Sequence, residues 1–511
     1  MQEYWILGFI LGYFLILLLI SKLTSKNSDK DSFYLGNKKS PWYLVAFGMI
    51  GASLSGVTFI SVPGEVGTSS FTYLQMVFGF VAGYLVVAQV LLPIYYRMNL
   101  VSIYTYLLER FGKAGYKTGS IFFLLSRSIG AAFRLFLVAL VLHKFVLAPW
   151  NVPFWLSVAF TIAFIYLYSF KSGIKTIVYT DTLQTAFLLV AAIGTVVFIC
   201  NQMNWDFNEM ASTVSNSSYG KVFEWDFAKG NSFYKHFISG MFITICMTGL
   251  DQDMMQKNLS CKNIKEAKKN MFSMSLALVL ANILFLALGA LLYIYAINKG
   301  ILITNFDNKE FMDLGRHITM NFNGESTFIR KDELFPFLAL KGIMPQAISI
   351  LFILGLIAAA YSSADSALTA LTTSFCIDIL GKGKTDIEVK TRTKVHIGFA
   401  LVLFLIILLF YAISNDSVIT LVFKAAGYTY GPLLGLYSLG IFTKRKVKDN
   451  LIPIVCILAP ILTFLINQYQ EFLFGDFKIG FLILIINGCL TFVGLIIISK
   501  HDKRRKNKAS I

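Results

Sequence analysis

The sequence has few charged residues: Asp, Glu, Lys and Arg together make up 14% of its 511 positions. A soluble chain of this length would form about three domains. Apolar runs of about 20 residues recur from end to end instead, and hydrophobic residues account for 56% of the chain. We therefore expect one all-α, polytopic membrane unit (residues 1–511) with no appended soluble domain.

Cysteine and histidine are also scarce, and neither is clustered. The six cysteines are scattered, mostly inside apolar runs, without the spacing of a metal or redox site. We expect them to be reduced, small apolar residues. The five histidines are spread over spans and connections, so they form no metal-binding or nucleophilic set. These absences argue against an enzyme and against an organic cofactor.

About thirteen apolar segments have the length of a membrane span. They lie near residues 4–22, 42–66, 73–97, 118–144, 151–170, 174–200, 233–255, 268–297, 343–380, 393–414, 416–442, 449–469 and 477–499. Most Lys and Arg residues fall in alternate connections if the N-terminus is outside, which predicts an N-out, C-in orientation. The net charge of +17 is then an orientation signal rather than a sign of nucleic-acid binding.

The segment 351–380 begins as an apolar span and then becomes polar on one side. Its small and polar residues recur at spacings of three and four, which places them on one helix face. They are Ala359, Ser362, Ser363, Asp365, Ser366, Thr369 and Thr373. A carboxylate at the centre of a span costs about 2.5–3.5 kcal/mol on insertion scales, so this face must meet protein or water. Hydroxyls beside a carboxylate suit a small hard cation, and we interpret the face as a sodium site.

Two spans contain residues that disfavour an unbroken helix. The second reads FGMIGASLSGVTFISVPG, with glycines, hydroxyl residues and a proline in one span. In the seventh, Thr248 and Gly249 precede Asp251 and Asp253. A broken span is tolerated only where its backbone lines an enclosed cavity, and breaks in two matching halves are typical of inverted-repeat transporters. The alternative is an intact helix with close-packed glycines and hydroxyls bonded to their own backbone.

Other ionisable residues also lie inside spans, where they are usually functional. Asp181 either contributes to a coupling-ion site or stabilises the N-terminus of its helix. Arg127 and Arg134 share one face of the fourth span, seven residues apart. Each is expected either to bind an anionic solute or to pair with Asp365 or Asp181. Lys424 has comparable alternatives: a gate, a solute contact or a counter-charge.

At these residues the chain resembles the sodium/solute symporter family, which includes transporters of galactose, proline, iodide and sialic acid. The motifs that carry the resemblance are GASLSGVTFISVPGE, VYTDTLQ, DQDMMQKNL, AAAYSSADSALTALTTSFCIDIL and GPLLGLYSLGIF. The resemblance implies a LeuT-type core of two inverted five-helix repeats, at about 42–200 and 233–442. An extra first helix (4–22), peripheral helices (449–499) and a basic cytoplasmic tail (500–511) would complete the chain.

The resemblance also implies sites. The family's shared sodium site would comprise Gly51, Leu54, Ala359, Ser362 and Ser363. A second ion would lie among Asp181, Ser362, Asp365 and Ser366. The family commonly has a hydroxyl residue at position 365, so a proton or a salt bridge to Arg or Lys is an alternative to that ion. Of the expected solute contacts, the resemblance implies Ser53, Ser55, Thr58 and Tyr73. The others are expected from their places in the spans, since the family's arginine position falls on Gly130 and its glutamine position on Val77: Gln75, Arg134 and Lys424.

Together these expectations describe a sodium-coupled secondary active symporter that imports a small polar or anionic organic solute by alternating access. One sodium ion, or two, would be the coupling ion. A proton-coupled symporter of the same fold and a membrane sensor that does not transport are the alternatives. The expected partners are a sugar, sugar acid, amino acid or monocarboxylate and the bilayer of the plasma (inner) membrane. We expect a monomer and no nucleic acid.

Overall fold

The structure is a computed structural model, and it describes residues 2–25, 36–147, 150–169, 173–303, 317–322, 324–381, 388–413 and 418–500. Within these residues the chain is mostly helical. The first helices are α1 (Gln2–Ser25), α2 (Trp42–Ser69), α3 (Tyr73–Val86), α4 (Leu92–Arg97), α5 (Thr105–Arg110), α6 (Lys113–Val141), α7 (Phe154–Ser169) and α8 (Gly173–Met203). A π-helical turn, Val87–Leu91, joins α3 to α4, and another, Leu142–Leu147, extends α6.

The helices that follow are α9 (Phe207–Asn216), α10 (Phe233–Thr244), α11 (Gln252–Leu259), α12 (Ile264–Asn298), α13 (Leu334–Leu340), α14 (Gln346–Ser374), α15 (Val389–Ile413), α16 (Val418–Thr429), α17 (Gly431–Phe442), α18 (Ile452–Gln468), α19 (Gln470–Phe474) and α20 (Ile483–Ile497). Two small sheets are antiparallel. One consists of β1 (Leu302–Ile303), β2 (His317–Phe322) and β3 (Glu325–Arg330), and the other of β4 (Lys446–Val447) and β5 (Ser499–Lys500).

Eight helical segments of the described residues are long and apolar enough to cross a membrane, and four shorter apolar helices accompany them. A helix lies on each of the thirteen predicted spans. The outer helices expose apolar side chains to the surroundings: Leu401, Leu405 and Leu409, one turn apart on α15, are each more than half exposed. Such a stripe suits lipid contact. The protein is a multi-pass membrane protein.

Helix packing in the core is reciprocal. α2 packs against α12, and α10 packs against α3; α8 packs against α14, and α16 packs against α6. The first set of five helices, α2, α3, α6, α7 and α8, can be matched in order with α10, α12, α14, α15 and α16. The contact between α2 and α12 then corresponds to the contact between α10 and α3, and the contact between α8 and α14 corresponds to the contact between α16 and α6. Two equivalent sets of five helices would produce this correspondence. α14 lies at the centre, with every residue from Phe352 to Ser374 buried.

Glycines bring α3 and α10 into backbone contact. A Cβ atom on Gly79 would come within 2.1 Å of the carbonyl oxygen of Phe237. One on Gly240 would come within 2.2 Å of the carbonyl oxygen of Met76. Small residues permit this close approach in membranes, where packing holds helices together.

Candidate functional site

The first break lies in α2. Ser55 has φ 30° and ψ 171°, outside the helical region, while the chain on both sides is helical. A residue with a Cβ atom rarely adopts a positive φ, so this serine marks a strained position. The main-chain oxygens of the turn before it lose regular helical partners. The predicted interruption of the second span is confirmed at this residue.

The second break follows the π-helical turn Ile245–Gly249 at the end of α10. Asp251 then caps α11, because its Oδ1 atom accepts hydrogen bonds from the amides of Asp253, at 2.9 Å, and Met254. The carbonyl oxygens released at the break accept hydrogen bonds from tyrosines: Tyr95 donates to Gly249 and Tyr104 to Leu250. The second predicted interruption is therefore also confirmed, with its backbone groups satisfied.

A cavity of about 100 Å³ lies at the two breaks. Five of the expected solute contacts line it: Ser53, Ser55, Thr58, Tyr73 and Arg134. The remaining wall comes from α3, α6, α12, α16 and the second break, with Tyr84, Arg127, Thr248, Asn282 and Val422 among its residues. Hydroxyl groups thus share a small cavity with a guanidinium group.

Of the two arginines that line this cavity, Arg127 is paired with aspartates and Arg134 is not, among the described residues. The Arg134 side chain is half-buried, and among the described residues it forms no hydrogen bond or ion pair. A guanidinium group presents N–H donors in a planar fork that matches a carboxylate. The cavity therefore offers a binding position for an anion.

Two other expected solute contacts lie elsewhere. The Gln75 amide nitrogen donates hydrogen bonds to the carbonyl oxygens of Thr72, at 3.0 Å, and Asn231, at 3.1 Å. Its oxygen accepts from the amide of Glu224 at 3.1 Å. Gln75 is fully buried and ties the connection 204–232 to the start of α3, because its carboxamide can donate and accept at once. Lys424 lines a separate, larger cavity.

This second cavity, which we call the vestibule, has a volume of about 400 Å³. Glu65, His236, Lys424, Lys478 and Phe481 are among the residues that line it. Tyr73, Ile419 and Phe423 line both cavities. These three side chains thus lie where the vestibule meets the central cavity, and Tyr73 is positioned to cover a solute.

Arg127 pairs with the aspartates of the second break. Its guanidinium contacts Asp253 directly and lies 3.8 Å from Asp251 Oδ2. Tyr430 donates a hydrogen bond to the same Asp251 oxygen. The partners differ from Asp365 and Asp181, which the sequence had suggested. Arg127 neutralises the aspartates at the second break, because a buried carboxylate is costly unless an opposite charge pairs with it.

Three helices meet around Asp181, on α8. A Cβ atom on Gly48 of α2 would come within 2.9 Å of Asp181 Cβ, and one on Gly51 within 2.1 Å of Thr185 Oγ1. From α14, Ser362 donates a hydrogen bond of 2.8 Å to Asp181 Oδ1. α2, α8 and α14 thus converge just before the Ser55 break, where the expected sodium ligands of α2 and α14 are all buried.

Unsatisfied oxygens test whether these residues suit an alkali cation. The hydroxyls of Ser363, Ser366 and Thr369 are buried and have no hydrogen-bond partner among the described residues. Buried polar atoms in proteins almost always have partners, so these hydroxyl oxygens are available to coordinate a bound group. Hydroxyl and carbonyl oxygens are ligands of hard cations. The donor set is therefore compatible with sodium.

Asp365 is fully buried beside these hydroxyls. Its Oδ1 atom accepts a hydrogen bond of 2.5 Å from the amide of Ser366.

Lys257 completes the cluster, and the sequence analysis missed it. It lies beyond the predicted seventh span (233–255), where the sequence indicates a basic connection, but α11 extends to Leu259 and all of its residues are buried. The Lys257 ammonium lies 2.7 Å from Asp181 Oδ2, with side chains 1% and 0% exposed. One signal could have found it: a carboxylate inside a span usually requires a cationic partner.

The sequence matches a known family over the same region. The sequence model of the sodium:solute symporter family matches residues 33–449, which contain both breaks, the cavity and the Asp181 cluster. The chain belongs to the sodium:solute symporter family. The resemblance drawn from the motifs is thereby confirmed, and the family consists of transporters.

Relatives match nearly the whole symporter. The sodium/sialic acid symporter NanT of Aliivibrio fischeri is 27% identical over 472 residues, which cover 90% of this chain and 87% of that protein. The sodium/sialic acid symporter SiaT of Proteus mirabilis is 25% identical, over 90% of this chain and 89% of that protein. A solved Na+-coupled sialic acid symporter, substrate-bound and outward-open, superposes with a TM-score of 0.77 at 22% identity, covering 98% and 99% of the two chains. That likeness establishes a shared fold.

Proposed function

We propose that this sodium-coupled symporter imports a small solute that carries a carboxylate, such as a sugar acid or a monocarboxylate. The observation that carries the proposal is the Arg134 guanidinium in the central cavity, which forms no ion pair among the described residues. A guanidinium binds a carboxylate through two parallel hydrogen bonds. The description of two relatives as sialic acid symporters supports the same class, because sialic acids are carboxylated sugars.

The rest of the solute would be bound by the broken helix. Hydroxyls of Ser53, Ser55 and Thr58 would contact its polar groups, and Tyr73 would cover it from the vestibule. Lys424 would act earlier, because a cation on the vestibule wall attracts an anion towards the cavity. Gln75, in contrast, would hold the adjoining connection and leave the solute untouched.

Sodium would bind where α2 meets α14, at Gly51, Leu54, Ala359, Ser362 and Ser363. Bound there, the ion would hold the broken helix against α14 and so complete the neighbouring cavity. Each ligand would then bind more tightly in the presence of the other, since coupling between two sites is reciprocal. The inward sodium gradient drives the solute. The membrane potential contributes about 2.3 kcal/mol per 100 mV for each net positive charge moved, and one sodium ion with one carboxylate moves none.

For the architecture we propose thirteen crossings with the N-terminus outside and the C-terminus inside. Residues 42–200 and 233–442 would form two inverted repeats that rock against each other, as the reciprocal packing of the core supports. The first helix, the peripheral helices in 449–499 and the tail 500–511 would flank this core. The symporter would act as a monomer in the plasma (inner) membrane.

The proposal is tested by uptake into proteoliposomes under an inward sodium gradient. Sialic acid, lactate, a neutral sugar and an amino acid serve as candidate solutes. Hydrogen bonds to a charged group contribute about 1.5–3 kcal/mol, so Arg134→Gln should raise the KM of the carboxylated solute roughly 10- to 150-fold. Arg97→Gln, at an exposed position on α4, is the matched control and should leave the KM unchanged.

Two results would count against it. An unchanged KM in Arg134→Gln, or preferential uptake of the neutral sugar, would refute the carboxylated solute. Uptake that persists in sodium-free buffer and follows an imposed pH gradient would replace sodium by protons as the coupling ion.

A further inference from the structure

The pair formed by Lys257 and Asp181 lies outside the central cavity. The ammonium is 2.7 Å from Asp181 Oδ2, and both side chains are closed off from solvent. The other carboxylate oxygen accepts a hydrogen bond of 2.8 Å from Ser362. Both oxygens of Asp181 are therefore engaged by groups of the protein itself.

This pair lies inside the region in which a second sodium ion was expected. Asp181 and Ser362 are two of the four candidate ligands of that ion, and a third, Asp365, is close enough to Lys257 to interact with it electrostatically. Ser366, the fourth, lies next to Asp365 in the chain and is fully buried. The ammonium thus interacts with the carboxylates that would bind the second ion.

An ammonium group resembles an alkali cation in the properties that matter here. It is a compact point charge that favours oxygen ligands. A sodium ion bound to the same carboxylate would lie within a few ångströms of it, and like charges repel strongly in a low-dielectric interior. Asp181 can therefore hold the ammonium or a sodium ion, but holding both is strongly disfavoured.

The position of Lys257 gives the ammonium an advantage over a free ion. It is attached to α11, one turn after Asp253, and Asp253 is fixed by Arg127 beside the second break. Because it is attached to the chain, its effective concentration at Asp181 is fixed, whereas that of a free ion varies with the sodium concentration outside the membrane. The lysine also connects α11 to α8, and through Ser362 to α14.

We propose that the ammonium of Lys257 is a tethered cation that replaces a second sodium ion at Asp181, so that one sodium ion accompanies each solute. This inference rests on the proposed sodium coupling and specifies its stoichiometry. The remaining sodium site is the one at Gly51, Leu54, Ala359, Ser362 and Ser363. Ser362 serves both positions, because a hydroxyl can donate to Asp181 while its lone pairs face the ion.

The test counts sodium ions. Binding of radiolabelled sodium to the purified full-length protein is measured by equilibrium dialysis against choline chloride. The wild type and Lys257→Arg should each bind one ion per chain, with a Hill coefficient of about 1, whereas Lys257→Met should bind two with a coefficient that rises towards 2. Lys257→Met combined with Asp181→Asn removes both charges and should return to one ion.

The outcomes separate this inference from the proposed function. Two ions in the wild type, or a single ion in well-folded Lys257→Met, would overturn the tethered cation and leave sodium coupling intact. If Lys257→Met does not fold, Lys257→Gln, which also removes the charge, takes its place with the same expectation of two ions, and a single ion in that variant would overturn the tethered cation. No sodium binding by any variant would overturn the sodium coupling itself, and this inference with it.

Discussion

Replacing Gly51 with alanine should weaken sodium binding although it removes no proposed ligand. An added Cβ atom would come within 2.1 Å of Thr185 Oγ1 and 3.1 Å of Thr185 Cβ. Rotation of the threonine can move the hydroxyl but not Cβ, and the hydroxyl is held by the carbonyl oxygen of Asp181 at 2.7 Å. α2 must then shift away from α8 and carry the carbonyls of Gly51 and Leu54 with it.

The size of the effect follows from the cost of overpacking. Extra methyl groups in a packed core cost about 1–3 kcal/mol. If this cost appears in ion binding, the half-saturating sodium concentration should rise roughly 5- to 150-fold, at about 1.4 kcal/mol per tenfold change. The measurement is the thermal shift of the purified protein titrated with sodium chloride against choline chloride, repeated as sodium-dependent uptake.

Two further variants provide a rescue and a control for this prediction. Thr185→Ala removes the hydroxyl oxygen, which is the atom nearest to the new Cβ, so the double variant Gly51→Ala/Thr185→Ala should regain most of the affinity. Gly398→Ala, on α15, adds a Cβ that meets nothing within 4 Å and should bind sodium like the wild type. An unchanged sodium affinity in Gly51→Ala, or no recovery of affinity in the double variant, would contradict the proposed dependence of sodium binding on the packing of α2 against α8.

Three more outcomes are expected. Ser363→Ala should raise the half-saturating sodium concentration about tenfold by removing one ligand, whereas Thr463→Ala, on peripheral α18, should not. Arg127→Met should destabilise the protein by about 3–5 kcal/mol in thermal unfolding, since it leaves two buried aspartates unpaired; an unchanged midpoint would contradict this. Hydrogen bonds from two lysines lower the pKa of Glu224 from 4.5 to about 2. The ionised Glu224 therefore stabilises the folded protein fully above its unfolded pKa of 4.5, and this stabilisation is lost as the pH falls towards about 2. Below about pH 4 the thermal unfolding midpoint of the wild type should fall more steeply than that of Glu224→Gln.

The features that could be predicted from the sequence depend on local signals. Apolar runs locate the helices because each must fill the bilayer by itself. The breaks at Ser55 and Gly249 were predictable because glycine and hydroxyl residues weaken a helix wherever they occur. The polar face of α14 was visible at helical spacing, and its burial follows from the cost of exposing Asp365 to lipid.

The features that could not be predicted depend on distant partners. Lys257 follows a short polar stretch and precedes several lysines, a pattern typical of a cytoplasmic connection. Its burial depends on Asp181, 76 positions away. Gln75 looks like a solute contact, yet two of its three hydrogen bonds depend on the course of a loop some 150 residues later. Such pairings follow from tertiary packing, which single-sequence patterns do not encode.

The backbone contact between α3 and α10 has a mechanical consequence. At Gly79 and Gly240 there is no layer of side chains that could slide or repack between the two helices. α3 and α10 would therefore move together in a conformational change, and bending would be expected at the two breaks. If sodium binds at the proposed site beside the Ser55 break, the two helices would be displaced together.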